Sequence, residues 1–139
     1  MDDKKDQVIR VLIIDDESDI RDLMQDYLSF EYNFEIDTAV DGKDALNLLN
    51  HNKYDLIFTD YHMPNVNGYE FVKMLREGNN ISNKCPVILI TGFSPDFNPE
   101  ENVWKDVFLI EKPFNFDNIK FLIKCTLKNK IKYSIKKTA

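Results

Sequence analysis

The chain of 139 residues is the length of one ordinary domain, and its 43% apolar and 30% charged residues are a globular composition, which excludes a disordered chain and leaves no room for a second catalytic domain. No apolar run approaches the ~20 residues that span a bilayer, the opening Met1-Asp2-Asp3-Lys4 has no signal-peptide stretch, and Cys85 and Cys125 have no metal or redox spacing, so a soluble cytoplasmic protein with no membrane contact is expected. The net charge of -6 is unevenly placed: the first 119 residues carry -13, which argues against direct nucleic-acid binding, and the last twenty carry +7, all lysine.

Residues 8–14, Val-Ile-Arg-Val-Leu-Ile-Ile, form a nearly continuous apolar run rich in β-branched residues, the pattern of a strand buried on both faces of a parallel sheet. The run stops at Asp15, Asp16, Glu17, Ser18 and Asp19. Ile20, Leu23, Met24, Tyr27 and Leu28 then recur at helical spacing behind acids that suit the helix dipole. Residues 34–40 predict a second strand, Asp41-Gly42 a turn, and Ala45, Leu46, Leu48 and Leu49 a short helix. A third strand from Tyr54 ends at Asp60, and a loop containing Pro64 and Gly68 leads to a helix over 69–76. Pro86 opens a fourth strand ending at Thr91. Residues 93–106 contain Pro95, Pro99, Asn98 and Asn102, so any helix there should be short or distorted. Val107–Ile110 is the fifth strand. A last helix from Asn115 or Phe116 carries Ile119, Leu122, Ile123 and Leu127 on one face. Five strands alternating with about five helices predict a three-layer α/β domain with a parallel sheet. The expected divisions are an N-terminal extension (1–7), the domain proper (8–127) and a basic extension (128–139).

Ligands of such sheets bind at the carboxyl ends of the strands. Those ends carry Asp15 and Asp16, Asp60, Thr91 and Lys112 on the first, third, fourth and fifth strands. Each has a local explanation: a helix cap, a turn former, a chance hydroxyl, a solvated amine. Four independent local explanations have no reason to select the same edge. Two carboxylates about 4 Å apart repel by roughly 4 kcal/mol at an effective dielectric near 20, so three converging ones need a cation. Oxygen donors with room for water favour Mg²⁺ (or Mn²⁺) over calcium or zinc. The Lys112 ammonium and the Thr91 hydroxyl suit phosphoryl oxygens, and one carboxylate can act as a nucleophile toward phosphorus.

The ordered set Asp15-Asp16, Asp60-Tyr61-His62-Met63-Pro64 with Gly68, Thr91-Gly92 and Lys112-Pro113-Phe114 resembles the receiver domain of two-component response regulators, over about residues 8–127. The resemblance implies a doubly wound, flavodoxin-like sheet of strand order 2-1-3-4-5. It implies that Asp60 accepts a phosphoryl group from the phosphohistidine of a sensor histidine kinase or phosphotransfer protein. Asp16, Asp60 and the backbone carbonyl of His62 would ligate Mg²⁺, with Asp15 acting largely through water. Thr91 and Lys112 would hold the phosphoryl oxygens, Pro64 and Gly68 would shape the loop, and the bond before Pro113 would be cis. Such a domain signals rather than turns over substrate, beyond self-phosphorylation and slow self-dephosphorylation. Its output would pass to a downstream protein or a homodimer through the fourth helix, fifth strand and last helix. No output domain is expected within these residues.

The sequence departs from that pattern at Leu109, where relatives carry a ring three residues before the lysine; Phe108 falls on the opposite strand face. His62 has two readings, an exposed side chain or a group that orients or blocks the hydrolytic water. His51 reads as solvated, Cys85 and Cys125 as small apolar groups, and Phe97 and Trp104 as core. Ile119, Ile123, Leu127, Ile131 and Ile135 keep a spacing of four, so the tail is either a solvated end or a continuing helix that meets a partner. Two other classes compete. A Mg²⁺-dependent phosphohydrolase would need a second acid two positions after Asp60, where only His62 stands. A flavodoxin-like cofactor binder would need backbone donors where Asp15, Asp16, Glu17 and Asp19 crowd the first loop.

Overall fold

The computed structural model describes residues 8–92, 104–128 and 130. Its sheet is built from β1 (Arg10–Ile14), β2 (Glu35–Ala39), β3 (Leu56–Asp60), β4 (Val87–Thr91) and β5 (Val107–Glu111). All pairings are parallel and the order is β2-β1-β3-β4-β5. Burial follows that order. β3 (LIFTD) and β4 (VILIT), which lie inside the sheet, are buried at every position, whereas the edge strands β2 and β5 are only partly so.

Helices α1 (Ser18–Glu31), α2 (Gly42–Leu49), α3 (Gly68–Glu77) and α4 (Phe116–Leu127) cover the two faces. Alternate strand residues point to opposite sides. Val11, Ile13, Phe58, Ile88 and Ile90 therefore meet Met24 and Leu28 of α1 and Ile119 and Ile123 of α4. Leu12, Ile14, Ile57 and Val87 meet Ala45 and Leu49 of α2 and Phe71, Val72 and Leu75 of α3. This is the doubly wound α/β architecture, with two apolar layers divided by one sheet. The expected fourth crossover, with its two prolines and Phe97, lies outside the described residues; Trp104 at its end is buried and 5.4 Å from the ring of Tyr69 on α3.

Local chemistry sets the helix starts. Asp41 accepts from the Asp44 amide at the start of α2, and Asn115 from the Asn118 amide at the start of α4. Asn67 and Glu70 form a reciprocal capping box, which begins α3 at Gly68, one residue before the apolar pattern does. The last helix does not run on unbroken. Lys128 turns out of it with φ 49°, and Lys130 forms an ion pair with Asp55 at 3.3 Å. Ile131 and Ile135 lie outside the described residues.

Candidate functional site

The carboxyl edge of the sheet gathers the acidic residues. β1 ends at Ile14, and the next amide, that of Asp15, still bonds to Ala39 O of β2 at 3.2 Å, so the side chain of Asp15 leaves the sheet from a fixed peptide. Asp15 is buried and accepts the Glu17 amide at 2.9 Å. The residue that caps α1 is Glu17, with no side-chain capping bond, so neither Asp15 nor Asp16 is consumed as a helix cap. Asp60 is the last residue of β3 and is also buried, whereas Asp16 is exposed. One carboxylate oxygen from each of Asp15, Asp16 and Asp60 lies within 4.8 Å of the other two.

Lys112 approaches this cluster from the end of β5, with Nζ 3.4 Å from Asp60 Oδ1. Its amide donates to Thr91 O at 2.7 Å, which holds the lysine backbone beside the end of β4, and the following bond to Pro113 is cis. Thr91 is the last residue of β4 and is wholly buried. In the register Asp60 lies opposite Ile90, so Thr91 stands one residue further along the edge.

The loop after β3 is shaped by its backbone. The Tyr61 amide donates to Ile90 O at 2.8 Å, and the His62 amide approaches Asp60 Oδ1 at 3.4 Å while the His62 side chain is exposed. Val66 N closes on Pro64 O at 2.8 Å around Asn65, whose φ of 71° is the left-handed conformation that asparagine tolerates. Gly68 N then returns to Tyr61 O at 2.7 Å. A Cβ on Gly68 would lie 2.9 Å from Tyr61 Cα and 2.6 Å from Leu89 Cδ1, so only glycine fits this approach.

Burial, followed by the charges of Asp60 and Asp16, pushes the Asp15 carboxyl up to about 6, against the opposing pull of the Glu17 amide and Lys112. A donor set of three carboxylates at close range, one of them reluctant to ionise, fits a hard oxygen-seeking dication such as Mg²⁺.

Two further residues hold the site and were not singled out from sequence. Arg21 on α1 donates from Nη1 to Asp15 O at 2.6 Å and so pins the peptide between Asp15 and Asp16. The Thr59 hydroxyl donates to Asp60 O at 3.0 Å and meets Met63 Sδ at 3.7 Å. The available signal for Arg21 was a lone cation in the first turns of a helix otherwise lined with acids. Of the remaining departures, Leu109 is half-exposed on β5 and Phe108 packs with the layer that holds α1 and α4.

The fold and the site together are a doubly wound parallel sheet with three carboxylates and a lysine gathered at its carboxyl edge. The family model for the response regulator receiver domain matches residues 11–124, and the chain belongs to that family. Response regulator Rre1 of Synechocystis is 31% identical over 118 residues, covering 84% of this chain and 50% of that protein. The chain spans about half the length of the curated relatives it matches. Among solved structures, the Vibrio cholerae chemotaxis protein CheY4 superposes with a TM-score of 0.75 at 27% identity, covering 87% of this chain and all of that one. Response regulator TrrA of Thermotoga maritima, solved with Mg²⁺ and BeF, gives 0.71 at 32% identity, covering 86% of this chain and 100% of that one. TrrA has also been solved in complex with the histidine kinase ThkA. No helix among the described residues is long and apolar enough to cross a membrane.

Proposed function

We propose that this chain is a phospho-accepting receiver, with its domain spanning residues 8–127, that takes a phosphoryl group on Asp60 in a Mg²⁺-dependent relay in the cytoplasm. The observation that carries the reading is the convergence of the Asp15, Asp16 and Asp60 oxygens within 4.8 Å, with Lys112 Nζ 3.4 Å from Asp60. The donor is the phosphohistidine of a sensor kinase or phosphotransfer protein, a partner supported by the TrrA–ThkA complex.

In the transfer, an Asp60 carboxylate oxygen forms a bond to phosphorus as the N–P bond of the phosphohistidine breaks. The imidazole keeps the bonding pair. Asp16, Asp60 and the His62 carbonyl would hold Mg²⁺ or Mn²⁺, with Asp15 acting through water, and the ion would supply positive charge to neutralise the phosphoryl oxygens. Phosphoryl transfer needs positioning and charge neutralisation more than covalent chemistry, and this chain provides both. Lys112 sets a point charge beside the nucleophile, and the cluster lies at the buried edge, where such charges act more strongly than in bulk water. Thr91 donates its hydroxyl to a phosphoryl oxygen, and its movement carries the Thr91–Gly92 peptide with it. The changed surface then serves a downstream protein.

The test is intact mass after incubation with acetyl phosphate and Mg²⁺. One added phosphoryl group, removed by hydroxylamine and absent from Asp60→Asn, is expected. Undiminished labelling of Asp60→Asn would move the acceptor elsewhere, and steady turnover of a phosphomonoester would make the chain a hydrolase.

A further inference from the structure

The amino edge of the sheet, opposite the acidic cluster, receives the chain as it leaves α4. Lys128 breaks the helix with φ 49°, and Lys130 then reaches Asp55 Oδ1 at 3.3 Å. That ion pair sets the direction of the chain. α4 packs on the sheet face that holds Val11 and Ile13. Asp55 instead alternates with Ile57, and Arg10 with Leu12, on the face covered by α2 and α3, where the Arg10 guanidinium lies 5.3 Å from the Tyr54 ring. Lys130 thus leads from the α4 face toward the α2–α3 face, and lines a hollow of about 320 Å³ with Val8, Arg10, Lys53 and Asp55.

A second hollow, of about 420 Å³, opens between α2 and α3 and includes Leu46, Leu49, Asn52, Met74 and Ile81 in its wall. The two hollows are neighbours. Asn52 belongs to the second and Lys53 to the first, and Arg10 Nη1, in the first, donates to Asn52 Oδ1 at 3.2 Å. The second hollow is poorly covered: Ile81 is 72% exposed and Met74 44%. Large apolar side chains left in water around a concave surface mark a place where something binds.

We infer that this groove is the docking site of the chain's own residues 131–136, led across the amino edge by the Lys130–Asp55 pair. The segment has the reach. Asn52 is three residues from Asp55, a span of about 10 Å at most, whereas the nine residues 131–139 extend up to about 30 Å. It also has the pattern. Ile131, Tyr133 and Ile135 alternate with Lys132, Ser134 and Lys136, so an extended run turns three apolar side chains into the groove and the polar ones to water. Its charge suits the groove as well. Residues 131–139 carry three lysines and no acid, and the exposed Glu77 stands one turn along α3 from Met74, with no ion pair among the described residues. Residues 1–7, which lead to Val8 at the same edge, hold one apolar side chain, Met1, and are a poor match for the groove. The site lies away from the carboxyl edge and from the outer faces of α1, α4 and β5, and the inference does not depend on phosphorylation. Tethering makes the contact intramolecular, so a small apolar surface is enough to hold it.

The test is solution NMR of the whole chain. Nuclear Overhauser cross-peaks from the Tyr133 ring to the methyl groups of Met74 and Ile81 are expected, unchanged on about tenfold dilution because the segment is tethered. Tyr133→Ser should shift the Leu46 and Met74 methyl signals of the wild type. The same change should leave them in place in Ile81→Ser, where the segment is already released. Ile81 is exposed, and far-UV circular dichroism checks that every variant is folded. A Tyr133 ring with no cross-peak to Met74 or Ile81 overturns the inference. So do cross-peaks that fade on dilution, which would make the occupant a second copy, or a Tyr133→Ser shift that persists in Ile81→Ser.

Discussion

Replacing Asp15 by Asn removes one of the three charges from the cluster and leaves its geometry in place, because the amide oxygen still accepts the Glu17 N–H that Oδ1 accepts now at 2.9 Å. The Asp15 carboxyl titrates at about 6 in the fold against an ordinary 3.8, with burial as the largest cause and the Asp60 and Asp16 charges adding to it. Because the folded value is the higher one, the folded chain binds this proton more tightly than the unfolded chain does. Stability therefore falls as pH rises from about 4 to about 6 and the full penalty persists above that. Two pKa units are worth about 3 kcal/mol, and water at the open Asp16 side screens this to about 1–2 kcal/mol. Without Mg²⁺ near pH 7.5, Asp15→Asn should then melt about 3–8 °C above the wild type. The gap should close toward pH 4, where the wild-type carboxyl carries its proton. Mg²⁺ should raise the wild type more than the variant, because only the wild type has the full repulsion to relieve. Thermal melts across this pH range, with and without Mg²⁺, give all three readings. A metal-free variant less stable than the wild type at neutral pH, or a gap that does not change with pH, would refute the clustered-charge account.

Gly68→Ala should lose about 2 kcal/mol in urea unfolding, because its Cβ would sit 2.9 Å from Tyr61 Cα, and it should slow phosphoryl uptake through the displaced loop. Arg21→Met should weaken Mg²⁺ binding about tenfold in an amide-shift titration, since it frees the peptide between Asp15 and Asp16. Loss of a nearby positive charge alone would tighten it, so tighter binding counts against the positioning role of Arg21. Beryllofluoride with Mg²⁺ should shift the amides of Thr91, Gly92 and the crossover that follows, and leave the Leu109 and Phe108 side chains in place. A large rotation of either with Thr91 and Gly92 unmoved would route the signal through β5.

Much of this fold is legible in the sequence, and the misreadings share one cause. Apolar runs report burial, not ladder pairing. Val8 and Ile9 extend the first run, and Ile9 is buried, but the ladder begins at Arg10. Tyr54 likewise belongs to the core rather than to β3, and its amide is taken by the Ser82 hydroxyl at 2.8 Å. The acidic cluster is legible because strand ends in a parallel sheet share one edge, so Asp15, Asp16 and Asp60 need no long-range prediction to be placed together. Arg21 and Thr59 are not legible in that way. Each acts through a backbone carbonyl, and which carbonyl a side chain reaches depends on the path of a loop that no residue pattern encodes. The end of α4 is hidden for a related reason: the apolar stripe and the lysines both continue past Leu127, while the chain turns at Lys128 and ties Lys130 to Asp55.

The carboxyl edge is also where the parts of the fold are mechanically joined. Lys112 reaches Asp60 through its side chain and Thr91 through its amide, so one residue of the β5 end touches both the candidate acceptor and the candidate switch. A charge arriving at Asp60 thus acts on β4 and β5 together. What differs is how freely each can respond. Below Lys112, Ile110 is buried and Phe108 packs with the layer that holds α1 and α4, which leaves β5 little room to change without disturbing that core. Leu109 faces outward, but an aliphatic side chain with no polar tip has no second environment that favours it more strongly than the first. At Gly92 the ladder has ended, and among the described residues a Cβ placed there would meet nothing within 4 Å. Among the described residues the packed side of the switch is therefore β5, and the less packed side is the end of β4 at Gly92. A push on Thr91 is expected to be relieved toward Gly92 because, among the described residues, the fewest contacts oppose it there.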